Sequence, residues 1–387
     1  MNKKNILIIS YSPLHRDPRI LRQIHALKND YNIQTIGYTN PCVEGVDFFE
    51  VSLTPVCDTF FKKCQKALKI IMHKYSNMLY KNLSINELYS YTYQTPDGIY
   101  ANDWNGLYAA VLLKKKNNWN CKIYFDAHEY FPRYTERIVW KLFERPLILY
   151  ALKKSKNEIF IMSTVCPSLA RMYAKFFDFN KDFVQIITNS PDYEAGLIPI
   201  SLDNKKRIQL IHHGGALRAR NLEAMIDMME YLPQDKYEMN FMLVESDRTY
   251  YEELIERAKK YPNIFFIKPV DVNEISRFIN KFDIGIYILD NKDINHKYAL
   301  PNKFFEFVQA RLAIVVGDSS EMRNYINKYN LGVSANSNNP EELANEILKL
   351  SKQDIMRFKI NSDKHAEVLS ANNNVLQLKK IAEDITK

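Results

Sequence analysis

The chain of 387 residues is 46% hydrophobic and 25% charged, which is typical of a globular protein but too long for one ordinary core. It contains no run of about 18 apolar residues, so we expect no helix that spans a bilayer. Its five cysteines show no ligand-like spacing, which disfavours a zinc site and is typical of unpaired thiols in a reducing cytosol.

The net charge of +8 is concentrated in the first half of the chain. Residues 1–195 contain 26 Lys and Arg against 18 Asp and Glu, whereas residues 196–387 contain 27 of each. This excess indicates either an anionic partner, such as a membrane surface or a phosphorylated substrate, or an ordinary solvated surface. The excess is small and no nucleic-acid-binding motif accompanies it, so we expect no nucleic acid partner.

In the first half, short β-branched and aromatic runs alternate with helical patterns. The predicted strands are residues 5–11, 32–38, 98–102, 122–127, 159–164 and 184–188. Residues 189–206 then lose the periodicity and gather Pro, Gly, Asn and Asp, which predicts a linker.

The alternation restarts after residue 206. We predict strands at 207–213, 238–245, 263–269, 284–289 and 313–317, and helices at 220–231, 249–260, 273–281, 302–310 and 319–328. Two such series predict an α/β protein with two doubly wound, Rossmann-like domains. Ligands of open α/β sheets bind at the carboxyl ends of the strands, so we expect the site in a deep cleft between the domains.

The predicted domain limits follow from this pattern. They are an N-terminal domain at 1–195, a C-terminal domain at 196–365, and a last helix at 366–387 that packs back toward the first domain.

Residues 59–82 interrupt the alternation with one long predicted helix. Eight apolar or aromatic side chains between Phe60 and Leu79 fall within one arc of about 100°, and six lysines lie opposite. A basic amphipathic helix of this kind lies in a membrane interface, or it packs on the N-terminal domain with its lysines in solvent.

The stretch "IHHGGALRARNLEA" (211–224) places two glycines between a predicted strand and a predicted helix. Gly214 and Gly215 allow a tight turn and close approach of a ligand, and a helix that begins near Arg220 directs its N–H groups into that turn. Arg218 and Arg220 add donors that match phosphate oxygens. The pattern therefore predicts a phosphate site, or else an ordinary strand–turn–helix with surface arginines. One of the two histidines before the glycines, His212 or His213, could face the site.

A second stretch, "YALPNKFFEFVQARLAIVVGD" (298–318), points to the same sheet edge. Pro301 favours a helix start, and Lys303 and Glu306 share one face of that helix. The lysine could neutralise a diphosphate and the glutamate could accept hydrogen bonds from a ribose, although the two could also form a surface pair.

In the first half, four polar residues follow predicted strands. Asp17 and Asp103 have the sequence context of helix caps, and both could instead be ligand-binding carboxylates. His128 and Glu129, in "DAHEYFP", follow a strand at the edge where parallel sheets bind ligands, which favours a functional histidine.

These motifs together resemble the GT-B glycosyltransferases, and most closely glycosyltransferase family four. The matching segments are "HHGGALRARNLE", "PNKFFEF" followed by "AIVVGDSSEM", "KFDIGIYIL", "SPLHRDPRI" and "YFDAHEYFP". The resemblance implies a GT-B fold, a nucleotide-sugar donor in the second domain and an acceptor in the first. It also implies that Arg220 contacts the diphosphate, that Glu306 holds the ribose, and that His128 lies near the donor sugar.

The sequence departs from the family pattern at two places. Tyr298 stands eight residues before Glu306, where the family's Glu-x7-Glu motif has its first glutamate, so the usual contact to the sugar hydroxyls is in question. The N-terminal loop "SPLHRDPRI" lacks the usual glycines, and its Asp-Pro-Arg form resembles sequences of bacterial capsule and O-antigen synthesis.

The predicted roles combine the residue patterns with this resemblance. They are catalytic for His128, Arg220 and Lys303; donor-binding for Gly214, Gly215, Arg218, Asn302 and Glu306; and acceptor-binding for Asp17, Arg19, Asp103 and Glu129.

No Asp-x-Asp occurs in the chain, so we expect no metal and no cofactor, with positive side chains stabilising the leaving diphosphate. The resemblance implies a retaining enzyme that transfers a sugar from a UDP- or GDP-type donor to a lipid-linked glycan of a bacterial surface polysaccharide. The expected location is the cytoplasm, at the inner face of the membrane. A nucleotide-sugar epimerase or hydrolase of the same fold, and a non-catalytic nucleotide-sugar-binding scaffold, remain alternatives.

Overall fold

The structure is a computed structural model that describes residues 3–53 and 60–387, without the side chains of 60–64 and 219. The chain divides into two compact units, one of Met1–Thr188 with Asn374–Lys387 and one of Asn189–Asn373. Each unit contains one parallel sheet with helices, which confirms the predicted α/β class.

The first unit contains a seven-stranded sheet of order β3-β2-β1-β4-β5-β6-β7. Its strands are β1 (Asn5–Ile9), β2 (Asn32–Gly37), β3 (Val46–Glu50), β4 (Gly98–Asn102), β5 (Lys122–Ala127), β6 (Ile159–Thr164) and β7 (Val184–Ile186). Its helices are α1 (Pro18–Leu27), α2 (Phe60–Ile71), α3 (Tyr75–Asn82), α4 (Ile85–Ser90), α5 (Asp103–Asn117), α6 (Ile138–Phe143), α7 (Arg145–Ser155), α8 (Pro167–Phe177) and most of the last helix, Ala371–Thr386.

The first sheet is apolar on both faces because consecutive residues of its strands point to opposite sides. On β1, Leu7 and Ile9 join one buried cluster, whereas Ile6 and Ile8 join another. The last helix covers the second cluster with side chains such as Ile381. A parallel sheet needs helices on both faces, and here the chain terminus supplies one of them.

The second unit contains a six-stranded sheet of order β10-β9-β8-β11-β12-β13. Its strands are β8 (Ile208–Gly215), β9 (Tyr237–Val244), β10 (Ile264–Ile267), β11 (Ile284–Tyr287), β12 (Ala313–Val316) and β13 (Gly332–Ser334). Its helices are α9 (Leu222–Asp227), α10 (Arg248–Ala258), α11 (Ile275–Ile279), α12 (Ile294–Lys297), α13 (Asn302–Gln309), α14 (Ser320–Tyr329), α15 (Pro340–Leu348) and α16 (Lys352–His365), which makes the final helix of the chain α17.

Two predictions of local structure are wrong at the ends of elements. The strand predicted to end at about His213 continues through Gly215, and the helix predicted at 220–231 is divided. Residues 218–220 form a 3₁₀ turn, and α9 begins only at Leu222, because Asn221 takes a left-handed backbone conformation with φ 47°.

The single helix predicted at 59–82 is also two helices, α2 and α3, within the described part of that range. His73 takes φ 54° between them and ends the helical repeat. Residue 59 lies outside the described residues. None of the helices in the described part of the chain is long and apolar enough to cross a bilayer.

Candidate active site

The glycine turn of the second unit lies at the carboxyl end of β8, next to β11, where the strand order of the sheet reverses. This switch point is where open α/β sheets bind ligands. Gly214 has φ 119°, a conformation that favours glycine. A Cβ at Gly214 would lie 2.2 Å from Lys303 Cε and 2.9 Å from Arg220 Nη1, so the missing side chain leaves room for both cations.

Arg220 and Lys303 therefore bring two positive charges to one point of the sheet edge. Arg220 Nη1 is buried and makes no hydrogen bond within the part of the chain that the structure describes. Burial and the Arg220 charge lower the pKa of Lys303 to about 8, and Glu306 only partly opposes them. Two crowded cations of this kind are a ready site for an anion with several oxygens.

Glu306 lies one turn after Lys303 on α13 and contacts a neutral histidine. Its Oε2 is 3.3 Å from His213 Nε2, and its side chain keeps only 12% of its surface exposed. Burial and the Lys303 charge hold the pKa of His213 well below its usual value. The ring of Phe307 packs against His213 nearly at right angles, with centroids 5.4 Å apart. His213 is thus a neutral neighbour that leaves the charge of the Glu306 carboxylate in place.

The two histidines before the glycines have different places. His212 is fully buried, its Nδ1 is 2.9 Å from the Ile286 carbonyl oxygen, and its ring stacks on Tyr287. Burial lowers its pKa to about 3, so it is a neutral core residue. His213 is the one that faces the site, a choice that the sequence left open.

Arg218 does not lie beside Arg220 and Lys303 at Gly214. Its guanidinium is about half exposed, donates to Glu253 Oε1 at 2.6 Å, and lies over the Tyr250 ring. The structure does not place Arg218 beside Gly214, because a surface carboxylate already engages it, and its donor-binding role stays a prediction. The predicted contribution of a helix N-terminus is also reduced, because α9 has only six residues and begins after Arg220.

Three further residues that the sequence analysis singled out have the following positions. A Cβ on Gly215 would lie 2.7 Å from Ser246 Oγ, so this glycine also allows close packing. Asn302 is the first residue of α13 after Pro301, as predicted. Tyr298 follows α12 and is partly buried.

In the first unit, the carboxyl ends of β1, β4 and β5 hold a buried polar network around Asp126, again where the strand order reverses. Arg19 binds both Asp126 oxygens, at 2.7 Å and 2.5 Å, and donates to the Ile187 carbonyl. Gln23 bridges Asp126 to Asn102. Burial raises the pKa of Asp126, but Arg19 and the hydrogen bonds of the network lower it well below its usual value.

This network engages all three side-chain nitrogens of Arg19, which is buried, and the acceptor-binding role of Arg19 stays a prediction. Asp17 is confirmed as the cap of α1, because its Oδ1 accepts the N–H groups of Arg19 and Ile20. Its Oδ2 accepts from Ser12 Oγ, so both oxygens already have partners.

His128 lies between two carboxylates at this edge. Its Nδ1 is 3.5 Å from Asp103 Oδ2, its Nε2 is 3.6 Å from Asp126 Oδ2, and its backbone N–H donates to Asp103 Oδ1. Burial lowers the pKa of His128, but the Asp103 charge and Asp126 outweigh burial, so the pKa is raised overall. The arrangement favours an imidazolium, because a carboxylate lies near each ring nitrogen.

Asp103 is the first residue of α5 rather than its cap, and its backbone has φ 58°. Such a conformation is uncommon outside glycine and marks functional sites when the surroundings enforce it. Burial raises the pKa of the Asp103 carboxyl. Asp103, His128 and Glu129 all line one cavity of about 450 Å³ within the first unit.

Residues 197–366, all in the second unit, match the family model described as "Glycosyl transferases group 1". The chain is a glycosyltransferase. Among curated protein sequences, none matches it.

Solved structures are similar to this glycosyltransferase over nearly the whole chain. Sucrose-phosphate synthase from Thermosynechococcus elongatus is 12% identical, with a TM-score of 0.69 and 99% of each chain covered. Anabaena HepE in complex with UDP and glucose is 11% identical, with a TM-score of 0.66 and 99% of each chain covered. WaaG, a glycosyltransferase involved in lipopolysaccharide biosynthesis, is 11% identical, with a TM-score of 0.63 and 98% and 99% covered. The glycosyltransferase therefore has the GT-B fold.

Proposed function

We propose that this glycosyltransferase is a retaining, metal-independent enzyme of family four. Its donor is a UDP- or GDP-type sugar nucleotide, and its acceptor is a lipid-linked glycan of a bacterial surface polysaccharide. The observation that carries the donor proposal is the pair of cations at Gly214, of which Arg220 Nη1 has no hydrogen bond among the described residues. HepE in complex with UDP and glucose, and WaaG in lipopolysaccharide biosynthesis, support the donor and acceptor classes by fold likeness.

In the proposed reaction, the diphosphate lies against Gly214 between Arg220 and Lys303, and the ribose hydroxyls donate to Glu306. As the glycosidic bond to the diphosphate breaks, negative charge grows on the leaving oxygens, and the two cations stabilise it. The acceptor hydroxyl attacks from the same face, and its proton passes to the departing phosphate. The imidazolium of His128, which lies between Asp103 and Asp126, brings its positive charge beside the transferring sugar.

A thermal-shift panel of UDP, GDP, ADP and CMP sugars tests the donor proposal. A ligand at 100 times its Kd stabilises the protein by about 2.7 kcal/mol. We expect Arg220→Ala and Glu306→Ala to abolish the shift that the true donor gives. Arg218→Ala is the matched control, because this arginine, two residues away, pairs with Glu253 and should leave the shift intact. A donor shift that survives Arg220→Ala would contradict the proposal.

The membrane part of the proposal rests on α2 and α6, which contact each other. Lys66 of α2 also pairs with Glu144, the residue that follows α6. The two helices expose large apolar side chains that a soluble surface rarely groups together. These are Leu68 and Ile71 on α2, Met72 just after it, and Ile138, Val139 and Leu142 on α6.

Exposed basic residues, among them Lys69, Lys74 and Lys141, accompany these apolar side chains. Apolar side chains with lysines beside them fit the interface of an anionic lipid surface. By contrast, Met78 and Leu79 on α3 are buried in the core. The predicted amphipathic segment is thus divided: α3 is packed, and α2 is available for lipid.

A further inference from the structure

The cavity beside His128 has an aromatic wall that the donor chemistry does not use. Trp104, Phe131, Tyr134 and Trp140 all line it. The rings of Phe131 and Tyr134 are stacked at 3° with centroids 6.0 Å apart, and Trp140 continues the row at 6.1 Å from Tyr134. The cavity volume of about 450 Å³ lies within the range of roughly 300–1,000 Å³ that is usual for small-molecule sites.

Aromatic faces carry partial negative charge and attract polarised C–H groups, which a pyranose ring presents on its flat sides. Besides the Tyr134 phenol, the ionisable groups that line the cavity are three carboxyls, of Asp103, Glu129 and Glu144, and one imidazole, of His128; Lys66, which is not part of the lining, pairs with Glu144. Carboxylates accept hydrogen bonds from hydroxyl groups and repel anions. The lining therefore favours an uncharged, hydroxylated ring over a phosphate or an acidic sugar.

The position of the cavity indicates where a lipid attached to the bound sugar would lie. Trp140, on α6, lines the cavity, whereas Ile138, Val139 and Leu142 of the same helix are exposed to solvent. A molecule whose sugar occupies the cavity would keep its lipid near that apolar face of α6.

We infer that this cavity is the acceptor-sugar subsite, and that it takes a neutral pyranose ring stacked on Tyr134 and Trp140. The inference rests on the proposed glycosyl transfer. It assigns the recognition of the acceptor to aromatic residues and places its hydroxyl groups near Glu129.

Intrinsic fluorescence of the full chain tests this assignment, because two of the three tryptophans line the cavity. The third, Trp119, is 9% exposed and packs on Tyr93. The probes are octyl glycosides of glucose, galactose, mannose and N-acetylglucosamine, below their critical micelle concentrations. We expect a saturable change with at least one of them. The matching methyl glycoside should compete, and octanol and glucose 6-phosphate should not.

Tryptophan variants identify which residue gives the fluorescence change. Trp119→Phe should keep the response, and Trp140→Ala, followed on Trp104, should weaken binding at least tenfold, with partial recovery in Trp140→Phe. The inference is overturned if no glycoside gives a saturable response, if octanol or the sugar phosphate competes equally, or if Trp140→Ala binds normally. The nucleotide thermal shift is measured in the same samples: if it persists, only the subsite has failed, and if it is absent in the native chain, the proposed function has failed.

Discussion

The protonation of Lys303 should control donor binding near neutral pH. With a pKa of about 8, its ammonium is about 90% charged at pH 7 and about 10% charged at pH 9. If the diphosphate needs that charge, its Kd rises about tenfold over this interval, or about 1.4 kcal/mol. A rising pH has the opposite effect on the stability of the free protein. The buried charge of Lys303 lowers the free energy of unfolding up to about pH 8, and this loss is relieved as the pH rises toward 10.5, the ordinary pKa of lysine.

The assay is calorimetric titration at pH 7, 8 and 9 with the nucleoside diphosphate that gives the largest thermal shift. Lys303→Arg is the control, because a guanidinium stays charged throughout and any remaining pH dependence then belongs to the nucleotide. We expect the native Kd to rise with pH and the variant Kd to stay nearly flat. Equal pH dependence in the two proteins would refute the assignment of Lys303 to the diphosphate.

Three other perturbations have defined outcomes. His128→Ala should keep the donor thermal shift but lower turnover at least 100-fold, as expected for loss of a positive charge beside the transferring sugar, and normal turnover would remove His128 from the reaction. Arg19→Met removes the arginine partner of the buried Asp126 carboxylate and should lower the free energy of unfolding in urea by about 3–5 kcal/mol at pH 7. Adding Asp126→Asn should recover much of that loss. A change under about 1 kcal/mol would contradict the network. Ile138→Asp combined with Leu142→Asp should reduce sedimentation with phosphatidylglycerol vesicles at least tenfold and leave donor binding unchanged, whereas unaltered sedimentation would argue against the lipid surface.

The sequence predicted the layers of the fold better than their edges. Buried strands such as Lys122–Ala127 are largely apolar and aromatic, and the predicted limits of that strand match the structure. The edge strands Val46–Glu50 and Gly332–Ser334 were not predicted, because they are short and only partly buried. Pairing with β2 and β12, a tertiary effect, defines them.

The candidate site shows a similar division. Spacing on α13 predicted that Lys303 and Glu306 share a face, and the structure places both at the glycine turn. Spacing could not distinguish Arg218 from Arg220, because their directions depend on a 3₁₀ turn and a left-handed Asn221. For the same reason Arg19 was predicted to bind the acceptor, although a carboxylate 107 residues later engages it.

The aromatic wall was not predicted at all, although its residues stand beside predicted ones. Trp104 directly follows Asp103, and Phe131 stands two residues after Glu129. The rings converge because a turn at 131–133 and the short helix α6 bring them to the end of β5. No periodicity in the sequence encodes that arrangement.

The central claim is that cationic side chains, without a divalent ion, hold the donor diphosphate in the second unit. It is tested most directly by calorimetric titration of the best-binding nucleoside diphosphate into the native protein in EDTA, and into the double variant Arg220→Met/Lys303→Met. We predict a Kd that EDTA changes less than twofold and that the double variant weakens at least 100-fold. Loss of binding in EDTA, or native affinity in the double variant, would contradict the claim.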